Sequence, residues 1–258
     1  MPLDILAVGA HPDDVELGAA ASLAAAAQAG LRVGVLDLTR GERSTNGTPE
    51  ERLKEAEAAA AVLGLAGRWN AGLPDRGLDG SPGQVRAVAE VIHREAPALL
   101  LAPWWGDRHP DHRAAARIVA EACFEAGLLD LRGEGPRRRP AAVLFYFIND
   151  TPGYDATPAG LPALPPPAEA GTLLLVPAAA HYETKRRAVA AHVSQFGGRP
   201  GDRPTSLNSG ETMRRVEARE AYFGSLVGDA FAEGFVRLGP WRLSGLAALC
   251  EADADRML

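Results

Sequence analysis

Two short segments of the sequence carry the same three residues, His-Pro-Asp, followed each time by another residue that can bind a metal. "AHPDD" spans residues 10–14, and "HPDH" spans residues 109–112. Two histidines and one carboxylate can hold zinc while leaving a fourth position for water, as in catalytic zinc sites. The candidate ligands are His11, Asp13, Asp14, His109, Asp111, His112 and, farther along the chain, His192.

Either motif taken alone has a structural explanation, because aspartate is common at the N-terminus of a helix and can act there as a cap. Two copies at equivalent positions favour metal binding instead. Nitrogen and oxygen ligands suit zinc, while Fe²⁺ or another divalent ion would also fit these residues.

The elements around the motifs would bring them together. Each motif follows an apolar run typical of a buried strand, at residues 3–10 and 98–104, and opens a helical pattern, at residues 12–29 and 110–126. We expect each proline to occupy the first helical position. Because ligands of parallel sheets bind at the carboxyl ends of the strands, the two motifs are predicted to face each other across one cleft.

The rest of the chain repeats this alternation. Further strands are predicted over residues 32–39, 141–148 and 172–177, and further helices over 48–64, 81–96, 180–196 and 209–226. The expected fold is α/β and Rossmann-like, a mostly parallel β-sheet with helices on both faces and the active site at its carboxyl edge. No G-x-G-x-x-G follows a strand, which argues against a dinucleotide site.

Residues 1–258 are expected to form a single domain. A proline-rich loop is predicted at about residues 151–171, and the aliphatic spacing of the closing segment, residues 235–249, is ambiguous. Loops of that length are often functional, and a lid on the substrate side is one hypothesis.

Composition narrows the class of protein. A net charge of −6 argues against wholesale binding to nucleic acid or to an anionic membrane. No apolar stretch approaches the length of a membrane span, and the N-terminus lacks a basic leader, so a cytoplasmic location is expected. The two cysteines lie far apart and outside any C-x-x-C, so neither a disulfide framework nor a cysteine zinc site is predicted.

The paired motifs resemble the zinc-dependent de-N-acetylases of the PIG-L/LmbE type, which remove acetyl from N-acetylglucosaminyl conjugates. Five later segments extend the resemblance over most of the chain: "LTRGE" (38–42), "GTPEER" (47–52), "LPD" (73–75), "SQF" (194–196) and "VEAREAYFG" (216–224). These segments are most similar to the bacillithiol-biosynthesis branch, whose substrate is N-acetylglucosaminyl malate. The resemblance also implies a homo-oligomer, with a hexamer as the candidate state.

Residue by residue, the resemblance implies that zinc is held by His11, Asp14 and His112. It gives Asp13 the role of general base. This division suits the chemistry, because zinc lowers the pKa of its water toward about 7 and a nearby carboxylate can then take up the proton.

The remaining roles concern the oxyanion and the substrate. A protonated His109, held by Asp111, is expected to stabilise the tetrahedral oxyanion, and either the base or His109 would protonate the leaving amine. Arg52, Glu42 and His192 are the candidate substrate-binding residues.

Two alternatives stay open from the sequence. The same chemistry could act on another N-acetylglucosaminyl conjugate, with inositol, a second sugar or an antibiotic in place of malate. A sugar-binding protein on the same fold, without hydrolysis, is the alternative from a different class. Four arginines near the predicted loops could attract an anionic substrate, namely Arg40, Arg43, Arg108 and Arg113.

Overall fold

The computed structural model describes residues 1–130, 140–149 and 172–237. The proline-rich loop predicted at 151–171 and most of the ambiguous closing segment lie outside these residues. The strands are β1 (Ile5–Gly9), β2 (Val33–Thr39), β3 (Gly67–Leu73), β4 (Leu99–Pro103), β5 (Ala142–Tyr146), β6 (Thr172–Pro177) and β7 (Ala232–Arg237). The α-helices are α1 (Asp14–Gln28), α2 (Pro49–Leu63), α3 (Pro82–Glu95), α4 (Pro110–Asp130), α5 (Tyr182–Ala190), α6 (Val193–Phe196) and α7 (Glu211–Val227).

These strands form one sheet in the order β3-β2-β1-β4-β5-β7-β6. The first five strands in this order are mutually parallel, and β7 runs antiparallel to both β5 and β6. The mostly parallel sheet expected from the sequence is therefore confirmed. Among the described residues, no helix has the length and apolar character needed to cross a membrane.

Helices cover both faces of the sheet, and the alternation of side chains along β1 shows the two faces. Leu6 and Val8 pack into a core with apolar residues of α3 and α4. Ala7, between them, packs into a second core with residues of α1. Successive side chains of a strand point to opposite faces, so both faces of β1 are covered, as the prediction of helices on both sides requires.

The helix boundaries differ from the sequence expectations at three places, one of which is the end of α4, at Asp130 instead of residue 126. Helix α1 begins at Asp14, so Pro12 precedes the helix instead of occupying its first position. Pro110 does begin α4, as predicted. The helix expected over residues 180–196 is divided, because the backbone of His192 leaves the helical conformation between α5 and α6.

The N-terminus of α2 follows its sequence signature closely. Thr48 Oγ1 accepts a hydrogen bond from the Glu51 backbone N, and Glu51 Oε2 accepts one from the Thr48 backbone N. This capping box satisfies two N–H groups at the helix start. It fixes the start of the helix that carries Arg52.

Candidate active site

The two His-Pro-Asp motifs meet at the carboxyl edge of the sheet. One follows β1 and the other follows β4, and these strands are neighbours that pair in parallel over Ile5–Ala7 and Leu99–Leu101. From β1 the strand order proceeds to β2 on one side and to β4 on the other, which makes this the topological switch point of the sheet. The cleft expected from the sequence therefore lies where doubly wound folds bind their ligands.

Asp14 lies between two histidines that come from different motifs. Its Oδ2 is 3.4 Å from His11 Nδ1, and its Oδ1 is 3.2 Å from His112 Nε2. Burial opposes ionisation of this carboxyl, but the positive charges of His112 and His11 outweigh it and lower the pKa well below its ordinary value. The structure thus brings together the three residues expected to hold a metal.

Two other combinations of metal-binding side chains lie at the same place. One nitrogen from each of His11, His109 and His112 can be chosen so that all three lie within 4.8 Å of one another. The same holds for one donor atom from each of His11, Asp75 and Asp111. Among the residues that the structure describes, His11 is common to these combinations.

Asp13 is held in an unusual conformation beside these groups. Its φ of 123° is one that residues other than glycine rarely adopt, and its side chain is buried. The Arg52 guanidinium lies 3.1 Å from its Oδ2. Burial raises the pKa of Asp13 to about 6 although Arg52 opposes the shift. A carboxylate with a pKa near 6 is suited to exchange protons near neutral pH.

His109 and Asp111 are arranged differently from the prediction. The Asp111 carboxylate does not hold the His109 ring; it accepts a hydrogen bond from the Arg76 backbone N and lies 3.3 Å from His11 Nε2. The Asp111 backbone N instead donates to His109 Nδ1. Burial, with the nearby charges of His112 and His11, lowers the pKa of His109 to about 4. A neutral ring that accepts at Nδ1 carries its proton on Nε2, and the lowered pKa favours this neutral ring over the protonated His109 expected from the sequence.

Sequence reasoning missed Asp107, which lies two residues before the second motif. Its Oδ1 is 3.1 Å from His112 Nδ1 and accepts a hydrogen bond from Asn149 Nδ2. Its Oδ2 accepts a hydrogen bond from the Asn149 backbone N. Burial opposes ionisation, but His112 and the hydrogen bonds from the His109 backbone N and the Asn149 side chain lower the pKa of Asp107 to about 2. A carboxylate on the second nitrogen of a histidine fixes the orientation and tautomer of the ring.

The three predicted substrate-binding residues lie in different environments. Arg52 lines the cavity, but its guanidinium also donates to the carbonyl oxygens of Pro12 and Gly41. Glu42 is exposed, and its Oε1 accepts a hydrogen bond from the Asp75 backbone N. His192 is fully buried, 3.4 Å from Glu16 Oε1. Because it does not reach the cavity surface, His192 is placed as an interior residue and not as a substrate contact.

An open cavity of about 360 Å³ lies in front of these groups. The first motif, His109 and His112 form part of its wall. Hydroxyl groups and arginines form much of the rest, namely Ser44, Thr45, Thr205, Ser206, Thr212, Arg43, Arg76 and Arg108. The wall also includes the carboxylates of Asp13, Asp14 and Asp75 and the apolar side chains of Leu17 and Ile148, so it offers charges of both signs and an apolar surface to a small molecule.

Comparison with known proteins identifies the family of the chain. Residues 6–123 match the family described as PIG-L, GlcNAc-PI de-N-acetylase. A 1D-myo-inositol 2-acetamido-2-deoxy-alpha-D-glucopyranoside deacetylase of Nakamurella multipartita is 30% identical over 253 residues, covering 78% of this chain and 83% of that protein. The chain belongs to the PIG-L family.

Two further similarities extend over most of this PIG-L protein. A diacetylchitobiose deacetylase of Thermococcus kodakarensis is 28% identical over 245 residues, covering 89% of this chain and 81% of that protein. The crystal structure of a conserved protein from Thermus thermophilus is 36% identical, with a TM-score of 0.74, and the match covers 94% of this chain and 97% of that one. The PIG-L protein is accordingly an N-deacetylase.

Proposed function

We propose that this PIG-L protein is a zinc-dependent hydrolase that removes the N-acetyl group from N-acetylglucosaminyl malate. The observation that carries the proposal is the meeting of the two motifs around Asp14, with Asp13 beside them at the wall of the cavity. An acid–base residue next to a set of metal donors is the arrangement that amide hydrolysis by a metal enzyme requires.

The donor set fits a catalytic zinc ion. One ring nitrogen of His11 and one of His112 lie next to the Asp14 carboxylate. The three residues, all buried or nearly buried, therefore offer two nitrogens and one carboxylate oxygen as ligands. Such a set leaves a coordination position for water or substrate, and Fe²⁺ would also fit it. When bound, the ion would supply Lewis-acid activation of water and of the acetamide carbonyl.

Different residues of the chain transfer the proton and stabilise the negative charge on the carbonyl oxygen. Asp13 takes up the proton of the attacking water, and Arg52 holds the carboxylate in place through its contact with Oδ2. His109 donates from Nε2 to the carbonyl oxygen of the acetamide, because its Nδ1 is occupied by the Asp111 backbone N–H. Asp13 then returns the proton to the leaving glucosamine nitrogen, which produces acetate and a free amine.

The malate conjugate is favoured by the charge of the cavity wall. Arg43, Arg76 and Arg108 line the cavity, and two carboxylates of a malyl group would match them. The hydroxyls of Ser44, Thr45 and Ser206 suit the sugar. The second candidate is the inositol conjugate, since a relative covering most of the chain is named for that substrate.

The test is release of free amine by the zinc-reconstituted protein from three substrates in parallel: N-acetylglucosaminyl malate, N-acetylglucosaminyl inositol and diacetylchitobiose. We expect the malate conjugate to have the highest kcat/KM, and the metal-free protein to be inactive. Asp13→Asn, which keeps the shape of the side chain, should lower turnover at least about a hundredfold.

Each other outcome has a definite meaning. A higher kcat/KM for the inositol conjugate would replace malate by the second candidate. Tight binding of a conjugate without release of amine would favour the sugar-binding alternative, and near-normal turnover by zinc-loaded Asp13→Asn would refute the assignment of the base.

A further inference from the structure

The second nitrogen of His11 faces two carboxylates that come from different parts of the chain. His11 Nε2 is 3.3 Å from Asp75 Oδ1 and 3.3 Å from Asp111 Oδ2, while its Nδ1 is on the side of Asp14. We propose that Asp75 and Asp111 are positioning residues that keep the proton of His11 on Nε2, and so keep the lone pair of Nδ1 available for the metal. This inference rests on the proposed metal site.

The physical reason is the limited choice that a neutral imidazole has. It carries one N–H, and an ionised carboxylate can only accept hydrogen bonds. Nε2 faces two carboxylates at 3.3 Å and Nδ1 faces one, Asp14 at 3.4 Å, so the surroundings favour the N–H on Nε2. Groups that bind the second nitrogen of a metal-ligating histidine typically change metal affinity by about 10- to 100-fold when they are mutated.

Asp75 is fixed by the loop that follows β2. Its Oδ2 accepts a hydrogen bond of 2.8 Å from the Arg43 backbone N, and its own backbone N donates to Glu42 Oε1 at 2.7 Å. Its side chain is almost completely buried. Glu42 thereby acts on the site through Asp75, which is a different use of this residue from the sugar contact expected from the sequence.

The two carboxylates bind their partners in different ways. Asp75 uses separate oxygens, Oδ2 for the Arg43 N–H and Oδ1 for His11. Asp111 uses the same oxygen, Oδ2, for the Arg76 N–H and for His11. An Asp→Asn change replaces one carboxylate oxygen by an NH₂ group, so the two positions should respond differently.

In Asp75→Asn, the NH₂ group must face either the Arg43 N–H or His11 Nε2. Facing His11, it opposes an N–H on Nε2, which Asp111 alone then still favours. The tautomer with the proton on Nδ1, which has no lone pair there for the metal, therefore gains population. In Asp111→Asn, the amide oxygen can occupy the position of Oδ2 and keep both contacts. Asp75→Asn should therefore weaken zinc binding much more than Asp111→Asn, although the two changes are chemically identical.

The experiment measures the dissociation constant of zinc by competition with a chromogenic chelator, with Asp79→Asn as the matched control. Asp79 is an exposed carboxylate in the same loop, and an asparagine there can still accept from the Ser81 backbone N. We expect Asp75→Asn to bind zinc at least about tenfold more weakly, and Asp111→Asn and Asp79→Asn to stay within about threefold of the unmodified protein. Equal affinities for Asp75→Asn and the control would overturn the proposal.

A second readout does not depend on a variant that folds. In the zinc-loaded, unmodified protein, the ¹⁵N shifts of the His11 ring report which nitrogen carries the proton. A protonated Nε2 is the expected result, and a protonated Nδ1 would refute the inference. Failure of the unmodified protein to bind zinc would instead refute the proposed metal site, so the two failures are distinguishable.

Discussion

The Lys185 ammonium group is fully buried between two glutamates, and its removal gives the sharpest stability prediction. Its Nζ is 2.7 Å from Glu220 Oε1 and 2.7 Å from Glu233 Oε1. Tyr182 donates to the other oxygen of Glu220, and Glu233 accepts from backbone N–H groups of α1. This cluster, which we call the Lys185 cluster, joins α1, α5, α7 and β7.

Lys185→Met keeps most of the length of the side chain and removes its charge. At 2.7 Å and an effective dielectric constant of 20, each ion pair has a Coulomb energy of about 6 kcal/mol. Desolvation of the buried ions offsets much of this, and loss of one partner of a buried pair typically costs about 3–5 kcal/mol. For a chain of this size, that corresponds to a fall in Tm of roughly 6–20 °C.

The loss should also depend on pH, with a sign that follows from Glu220. Burial raises the pKa of Glu220 above its ordinary value of 4.5, and Lys185 opposes that rise. Without Lys185 the folded-state pKa rises further. A group with a raised folded-state pKa stabilises the fold fully below its unfolded pKa and loses that contribution as the pH rises through the folded value. The deficit of the variant should therefore be smaller at pH 5 than at pH 8.

The assay is denaturant unfolding at both pH values, with Arg186→Met as the control. Arg186 is the next residue in α5 and forms a partly exposed ion pair with Glu217, whose loss should cost less than about 1 kcal/mol. A deficit for Lys185→Met of less than about 1 kcal/mol at pH 8, or one that grows toward pH 5, would refute the reasoning.

Three further predictions concern the site and the core. Arg52→Met should lower kcat of the proposed deacetylation about a hundredfold because Asp13 loses its contact at 3.1 Å; zinc content by mass spectrometry should not change, and loss of zinc would contradict the positioning role. Gly18→Ala should lower the free energy of unfolding by about 1–3 kcal/mol, since the new Cβ would overlap the Tyr146 ring. Gly83→Ala, whose Cβ meets nothing within 4 Å, serves as the control. Equal unfolding midpoints for these two variants would refute the packing argument. Asn46→Ala removes two hydrogen bonds of 2.9 Å with the backbone of Arg203 and so loosens the loop that carries Thr205 and Ser206 at the cavity wall. Steady-state kinetics should show a KM several-fold higher with kcat little changed. A lower kcat with an unchanged KM would contradict this role of Asn46.

The sequence predicted those parts of the fold whose signals are local. Apolar runs and the Thr48 capping box were sufficient for most strands and for α2. Strand β3 was not predicted, because it carries Arg68 and Asn70 where apolar residues would be expected. Arg68 is tolerated there because Asp37 and Glu16 pair with it, and those partners come from β2 and α1. A pattern read along the chain does not show such pairing.

The candidate site divides in the same way. The two motifs predicted that their residues meet across one cleft, and the resemblance to the family selected His11, Asp14 and His112, which lie close together. The partners of these residues were not predictable, because Asp75, Asp107 and Asn149 become significant only through contacts across the sheet edge. The misplacement of Asp111 has the same origin: its neighbour in the motif is His109, but the fold directs its carboxylate to His11.

The pairing of β1 with β4 also determines when the chain can bind a metal during its synthesis. His11 and Asp111 are 100 residues apart in the sequence, and β2, α2, β3 and α3 lie between the two motifs. A nascent chain that ends before α4 has two of the three proposed donors, His11 and Asp14, and lacks His112. Tight zinc binding would therefore begin only after α4 has been synthesised. A protein molecule that holds the metal would be one in which β1 and β4 have already paired.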